Sequence, residues 1–171
     1  LRAVKNLPAM VRCFAPLPEE WHLVIVGAGP EREAILAEAR RVDVSHRVHL
    51  PGFVDQPAAA TSLFDLFALS SHSEQFPISV VEAMASGLAV ASPAVGDVAA
   101  MVAAENLPFI VPPGDEAALA SAFASLAADP ALRGRIGAAN RVLARAEYDE
   151  KAMLSAYCGV YAAAMKRPSF P

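Results

Sequence analysis

An open, doubly wound parallel α/β sheet of the Rossmann-like kind is the fold class the sequence predicts, on three observations. Short apolar segments alternate with helical stretches of about a dozen residues along most of the chain. The first apolar segment, Leu23-Val24-Ile25-Val26, is nearly continuous rather than alternating, as expected of a strand covered on both faces. Gly27, Gly52 and Glu74 each fall just past a strand, at the carboxyl edge where sheets of this kind bind ligands.

Taken in order, Leu7, Met10, Val11 and Phe14 recur at helical spacing and predict a helix over Lys5 to Phe14. Trp21 to Gly27 reads as the first strand, Gly27-Ala28-Gly29-Pro30 as a turn, and Glu31 to Arg41 as a charged, alanine-rich helix. Val48 to Leu50 is the next strand, closed by Pro51-Gly52, followed by a short helix between Asp55 and Leu63 and a strand over Leu66 to Leu69. Pro77 suits the first turn of a crossover helix and Gly87 the position just past its end. A strand over Leu88 to Ala91, a loop from Ser92-Pro93 to Gly96-Asp97, a helix over Asp97 to Ala104 and a strand over Leu107 to Val111 complete the sheet. Asp115 and Asp129 are N-cap candidates for two further helices, the first running through Ala128, and Glu150 to Lys166 is the last helix. The tail Pro168 to Pro171 is rich in proline.

With 171 residues the chain reads as one domain, residues 1–171, with 150–171 a terminal helix and tail. No apolar run approaches the roughly 20 residues that span a bilayer. The net charge of −4 and the lack of a dense basic run argue against nucleic acid as a partner. A small anion can still dock, because helix N-termini and a few placed cations act locally. Cys13 and Cys158 lack a CxxC partner and read as free thiols of a reducing compartment. Leu1 to Asn6 carries neither an initiator methionine nor a signal-peptide core, and reads as the interior of a longer protein.

The stretch Ser71 to Ser92 holds the two acids around which function is organised, Glu74 at the strand's carboxyl edge and Glu82 inside the crossover helix. Unpaired amides around Phe76 to Ser79 at the helix start offer a phosphate a dock, and Glu82 is placed to accept from sugar hydroxyls. The same residues fit a structural explanation, since Ser79-x-x-Glu82 matches a capping box and Glu74 fits a solvated loop acid. Local pattern leaves both open. A nicotinamide or flavin site is disfavoured, because the third glycine of a GxGxxG turn would fall at Arg32. His22, His46, His49 and His72 show no metal-ligand spacing, and no GxSxG elbow surrounds Ser71, Ser73 or Ser79.

Taken together, Val26-Gly27-Ala28-Gly29-Pro30, Gly52-Phe53-Val54, Ser71-x-x-Glu74-x-Phe76-Pro77, Glu82-Ala83-Met84-Ala85-Ser86-Gly87, Val95-Gly96-Asp97 and Val111-Pro112-Pro113-Gly114-Asp115 resemble, in family order, the C-terminal donor-binding domain of the retaining GT-B-fold glycosyltransferases of family 4 (group 1). Glu74 and Glu82 match that family's Glu-x7-Glu motif. The resemblance implies the C-terminal half of a GT-B fold that takes a nucleoside-diphosphate sugar as donor. Glu74 would act on the transferred sugar as the catalytic carboxylate, Glu82 would hold the ribose, and the amides of Gln75, Phe76, Pro77-linked Ile78 and their neighbours would hold the diphosphate. Lys5 matches the lysine of an Arg-x4-Lys pattern whose arginine would precede Leu1, and would pair with the same diphosphate. Gly27 and Gly29 would line the donor site, and the backbone near Phe53 and Val54 would hold the base. No metal or cofactor is implied. The expected partners are the donor, a missing N-terminal acceptor domain and a membrane-associated acceptor, in the cytoplasm or at the inner membrane face. Gln75 departs from the family's usual glycine and Ala89 from its common proline. A non-catalytic nucleotide-sugar module and a GT-B-fold epimerase are the alternatives. Tyr157 and Tyr161 of the last helix are expected to face the absent domain.

Overall fold

The computed structural model describes residues 1–167 of the chain, so the tail Pro168 to Pro171 lies outside the described residues. Five strands, β1 (Leu23–Val26), β2 (Val48–Gly52), β3 (Phe67–Ala68), β4 (Val90–Pro93) and β5 (Ile110–Val111), all pair in parallel. The helices are α1 (Leu7–Phe14), α2 (Arg32–Arg41), α3 (Pro57–Thr61), α4 (Ile78–Ala85), α5 (Val98–Met101), α6 (Glu116–Ala128), α7 (Pro130–Glu147) and α8 (Glu150–Ala164). The parallel α/β reading therefore holds, with one difference in the ladder. β1 pairs with β2, and β3, β4 and β5 form a second set, with no strand pairing between β1 and β3 among the described residues.

Several boundaries move for identifiable reasons. The first helix does not begin at Lys5: Ala3–Lys5 is a 3-10 turn, and Asn6, at φ 47° and ψ 44°, takes the left-handed conformation that asparagine tolerates before α1 starts. β2 continues through Pro51 to Gly52, past the expected end at Leu50. Ser92 and Pro93, expected in a loop, belong to β4. The helix expected over Asp97 to Ala104 is only the turn of α5, and most of the strand expected over Leu107 to Val111 is a 3-10 segment, Ala104–Phe109. Pro108 removes a ladder donor there, and Asn106 has a different task.

Asn106 and Asn140 are both fully buried at 0% exposure. Val90 donates its N–H to Asn106 Oδ1 at 2.8 Å, and Asn106 Nδ2 donates to Val90 O at 2.7 Å, so a side-chain amide replaces a strand partner where β5 has not yet begun. Asn140 Nδ2 donates to Asn106 Oδ1 at 2.8 Å and to Leu88 O at 2.9 Å, while its Oδ1 accepts from Ala103 N at 3.0 Å. One helical turn earlier on α7, Gly137 lets the helix meet the backbone after α4. A Cβ there would lie inside contact distance of Gly87 O and 2.7 Å from Gly87 C. Gly87 itself has φ +79°, as its position past the helix end requires.

Two apolar clusters fill the layers. One gathers α1, α2 and α6 around β1, β2 and β5, with Val11, Ile35, Leu126 and Ile136 fully enclosed; the other gathers α4 and α5 around Val80, Met84, Val90, Val98 and Met101. A polar clamp ties the first cluster's helices together at its edge. Arg12 of α1 donates through Nε and Nη2 to Glu116 at 2.8 and 2.6 Å, and through Nη1 to Glu38 of α2 at 3.1 Å. Arg47, only 4% exposed, donates to the carbonyls of Ala15, Leu17, Pro18 and Trp21 that follow α1, and its guanidinium stacks 4.9 Å from the centre of the Phe14 ring. Cys13, buried under Glu116, has its thiol pushed up to about 11 by burial, and neither cysteine is in a disulfide. Among the described residues, no helix is long and apolar enough to cross a membrane.

Two stability predictions follow from these contacts. Asn140→Ala strands Ala103 N and Leu88 O in the interior, at about 1–3 kcal/mol per unpaired buried group. Urea unfolding at neutral pH is expected to lose at least ~2 kcal/mol against the parent chain. Hydrogen bonds from Arg41, then those from Arg12, hold the Glu38 carboxyl down to about 2 from its ordinary 4.5. A carboxylate whose value is depressed by folding stabilises above its unfolded value and loses that contribution as pH falls toward the folded one. The urea midpoint is therefore expected to decline between about pH 4.5 and 2 in the parent and less steeply in Glu38→Gln.

Candidate functional site

The carboxyl ends of β1, β2 and β3 lie on one edge of the molecule, and the predicted acids meet there because of how the chain leaves β3. Phe67 and Leu69 donate their amides to Ala89 O and Ala91 O, which fixes β3 against β4 and delivers Ser70 and Ser71, both buried, to the edge. Ser70 Oγ donates to Lys5 O at 2.8 Å and His72 N to Val4 O at 2.8 Å, so the N-terminal 3-10 turn is stitched to the end of β3. Lys5 Nζ then lies 2.7 Å from Glu74 Oε1, and Ser71 Oγ donates to the same oxygen at 2.6 Å. The Glu74 side chain is 11% exposed and that of Lys5 43%. One carboxylate oxygen thus takes a cation and a hydroxyl, while the ammonium keeps access to solvent and to a second anion.

The main chain under Glu74 is held from below by the loop after β4. Asp97 N donates to Gln75 O at 2.8 Å, and Gly96 passes directly beneath. A Cβ on Gly96, at φ +55°, would fall inside contact distance of Gln75 O and 2.6 Å from Glu74 O. Only glycine serves both needs. This loop therefore supports the backbone that carries Glu74.

α4 begins at Ile78 with Pro77 as its N-cap residue, one position later than a proline inside the first turn. No side chain caps the helix, so the Ser79-x-x-Glu82 capping box is not formed: Ser79 is already inside the helix rather than at its mouth. The amides of Ile78 and Ser79 precede the first internal donor, Val80 N to Pro77 O at 2.9 Å, and are directed out of the helix start. Glu82 is half-buried and lines one cavity of about 1030 Å³ together with Ser79, Ser71, Lys5 and Gly27.

The other sequence candidates are distributed around this centre. Gly29 supports Leu1, whose amino group contacts Ala28 O and whose backbone occupies the space a Cβ on Gly29 would need. Phe53, 76% exposed, and Val54 follow β2 at the same edge and are outside the cavity wall. Gln75 and Ile78 are exposed, Pro77 is buried, and the Phe76 ring meets Tyr148 edge-on at 5.6 Å. Sequence reasoning did not reveal Ser71 as the partner of Glu74, although its position three residues before that acid was a usable signal. It also missed the pairing of His22 Nδ1 with His49 Nε2 at 2.8 Å, which arises because β1 and β2 run side by side. Among the described residues no group of three or more His, Cys, Asp or Glu gathers at metal-binding distance. In α8, Tyr157 and Tyr161 are 56% and 52% exposed, with Val160 beside them at 66%.

Gly96→Ala tests the support. The amide resonances of Glu74, Gln75 and Asp97 are expected to shift strongly in a two-dimensional NMR spectrum, while the side-chain amides of Asn106 and Asn140 stay in place. A spectrum unchanged around Glu74 would mean that the close approach does not constrain the loop.

A family model described as "Glycosyl transferases group 1" matches residues 1–129. The chain is 34% identical to the phosphatidyl-myo-inositol mannosyltransferase of Mycobacterium leprae over 158 residues, which cover 91% of this chain and 40% of that protein. Among solved structures it is similar to the sucrose-phosphate synthase of Thermosynechococcus elongatus, at 29% identity and a TM-score of 0.84 over 95% of this chain and 44% of that one. Anabaena HepE, solved in complex with UDP and glucose, has a TM-score of 0.89 at 21% identity, over 95% of this chain and 46% of that one. The chain spans less than half the length of the curated relatives it matches first. Its parallel α/β fold is that of the Rossmann-like half of a GT-B glycosyltransferase, and the chain belongs to the group 1 glycosyltransferases.

Proposed function

We propose that the edge formed by Lys5, Ser71, Glu74 and Glu82 is the donor site of a retaining hexosyltransferase that uses a nucleoside-diphosphate sugar. The observation that carries this reading is the Lys5 to Glu74 contact of 2.7 Å at the carboxyl edge, beside the open start of α4, with Lys5 and Ser71 lining one cavity together with Glu82. UDP in the related HepE complexes supports a nucleotide donor. The diphosphate lies between Lys5 and the amides of Gln75, Phe76, Ile78 and Ser79. Both are preorganised donors for the charge that grows as the sugar–phosphate bond breaks. Glu74 faces the sugar, Glu82 accepts from the ribose hydroxyls, and the backbone by Phe53 and Val54 borders the base. Gly27 and Gly29 shape the turn beside them.

This charge balance calls for no metal and no further cofactor in our reading. The acceptor hydroxyl forms its new bond on the face the diphosphate leaves, so that configuration is retained, and a second domain presents the acceptor. A cytoplasmic setting with an acceptor at the inner membrane face fits the mannosyltransferase relative, whose acceptor is a phospholipid by its name.

Glu82→Ala and Glu74→Ala separate the roles. A hydrogen bond to a charged acceptor is worth roughly 1.5–3 kcal/mol, so Glu82→Ala should weaken nucleoside-diphosphate binding about 10- to 100-fold by calorimetry. In a protein that also carries an acceptor domain, Glu74→Ala should instead lower turnover with little change in nucleotide affinity. The 171-residue chain itself should bind nucleotide and transfer no sugar. Unchanged affinity in Glu82→Ala would remove it from the ribose, and donor binding without hydrolysis or transfer by the longer protein would favour a non-catalytic module.

A further inference from the structure

Three of the four histidines, His22, His46 and His49, stand at the amino ends of β1 and β2, the far edge of the strands from Glu74. Leu23 pairs with Val48 and Val24 with His49 in the parallel register, so His22 lies diagonally across from His49, two residues back from Val24 on the same face. The other face of these strands, with Trp21, Leu23, Ile25, Val48 and Leu50, packs on the first apolar cluster. His22 and His49 are therefore turned outward, and both are exposed. Their rings stack with centres 5.1 Å apart and planes 23° from parallel, and His22 Nδ1 lies 2.8 Å from His49 Nε2. A separation of 27 residues in the chain hides this pairing from the sequence.

Two nitrogens bound to one metal ion at about 2.0–2.1 Å, with an angle between right and tetrahedral, lie about 2.9–3.4 Å apart. A small outward turn of either ring therefore admits an ion between His22 and His49. Neutral imidazole ligates through either nitrogen, so Nδ1 of one ring and Nε2 of the other make a usable pair. The proton now shared between them passes through water to the other nitrogen of its own ring, which leaves both neutral rings offering a lone pair. Charge favours a cation here. Glu19 and Glu20 precede the pair, Glu19 is close enough to feel His22, and Arg47 directs its Nη groups inward onto the carbonyls after α1. His46 is committed elsewhere, with Nε2 2.5 Å from Glu19 Oε1. Among the described residues no further His, Cys, Asp or Glu completes a group of three, so water fills the remaining positions.

We propose that His22 Nδ1 and His49 Nε2 form a two-point chelate for one divalent transition-metal ion of the zinc class, which clips β1 to β2 across the exposed face of the sheet. Imidazole suits such ions, and affinity rises from Zn²⁺ to Cu²⁺. Mg²⁺ and Ca²⁺, which take oxygen ligands, are not held. The proposal is independent of the donor-site reading, which concerns the carboxyl edge and uses neither histidine.

The test uses the 171-residue chain, freed of metal with a chelator, at about pH 7.5 where neutral imidazole prevails. Zn²⁺ added in steps is expected to shift the ring resonances of His22 and His49 together, saturating at one ion per chain, while those of His46 and His72 stay in place. Mg²⁺ at the same concentration should shift neither ring. By calorimetry, His22→Ala and His49→Ala should each weaken Zn²⁺ binding at least ~10-fold, and His46→Ala should leave it unchanged. Saturating Zn²⁺ should raise the melting temperature of the parent chain and not that of the double variant. Ring resonances of His22 and His49 that stay fixed at millimolar Zn²⁺ overturn the proposal, as does an equal response to Mg²⁺. Unchanged affinity in both single variants, or an equal loss in His46→Ala, also overturns it. The ring shifts are read on the parent chain, so they decide the matter even where a variant fails to fold.

Discussion

Two buried side-chain amides carry the half of the molecule on which α4 rests. Asn106 serves as the missing neighbour of Val90, and Asn140 joins that position to the backbone at Leu88 and Ala103. Each hydrogen bond is modest in net terms, but leaving any of these groups unpaired in the interior is expensive, so the set is retained or lost together. Gly137, on the same face of α7, allows the helix to touch the turn after α4 directly. The direction of α4, and with it the place of Glu82, is therefore set from its far end.

Glu74 is governed by different physics. Its carboxylate is largely withdrawn from solvent and takes both a cation and a hydroxyl on one oxygen. Lys5 is much more exposed than its partner, so the pair is not a sealed ion bridge of the kind whose desolvation outweighs its attraction. An ammonium in that position keeps one side open to solvent while still tethered by the stitched 3-10 turn.

The sequence makes the elements at this edge legible because turn residues and apolar runs act locally. Leu23 to Val26, Pro77, Gly87, Asp115 and Asp129 fall where their own backbone preferences put them; Asp115 and Asp129 each cap a helix through their carboxylates, accepting from Ala118 N and Leu132 N at 2.8 Å. The segment from Asp97 to Val111 reads less well, since Asn106 is committed to a partner sixteen residues earlier in the chain and Pro108 blocks the ladder. No local pattern encodes such a contact. The Ser79 to Glu82 spacing illustrates the converse, a pattern sufficient for a capping box that the helix forgoes by starting earlier. The split between β1 and β3 is also invisible to periodicity, because the strands are correctly apolar whether or not they touch.

Glu74 and Glu82 stand on separate foundations. The first is seated on Gly96, Asp97 and the Lys5 turn, the second on α7 through Gly87, Gly137 and Asn140, and the two meet where the Phe76 ring packs edge-on against Tyr148 at the end of α7. A shift of α7 therefore moves Glu82 through its helix and reaches the loop of Glu74 through that ring contact.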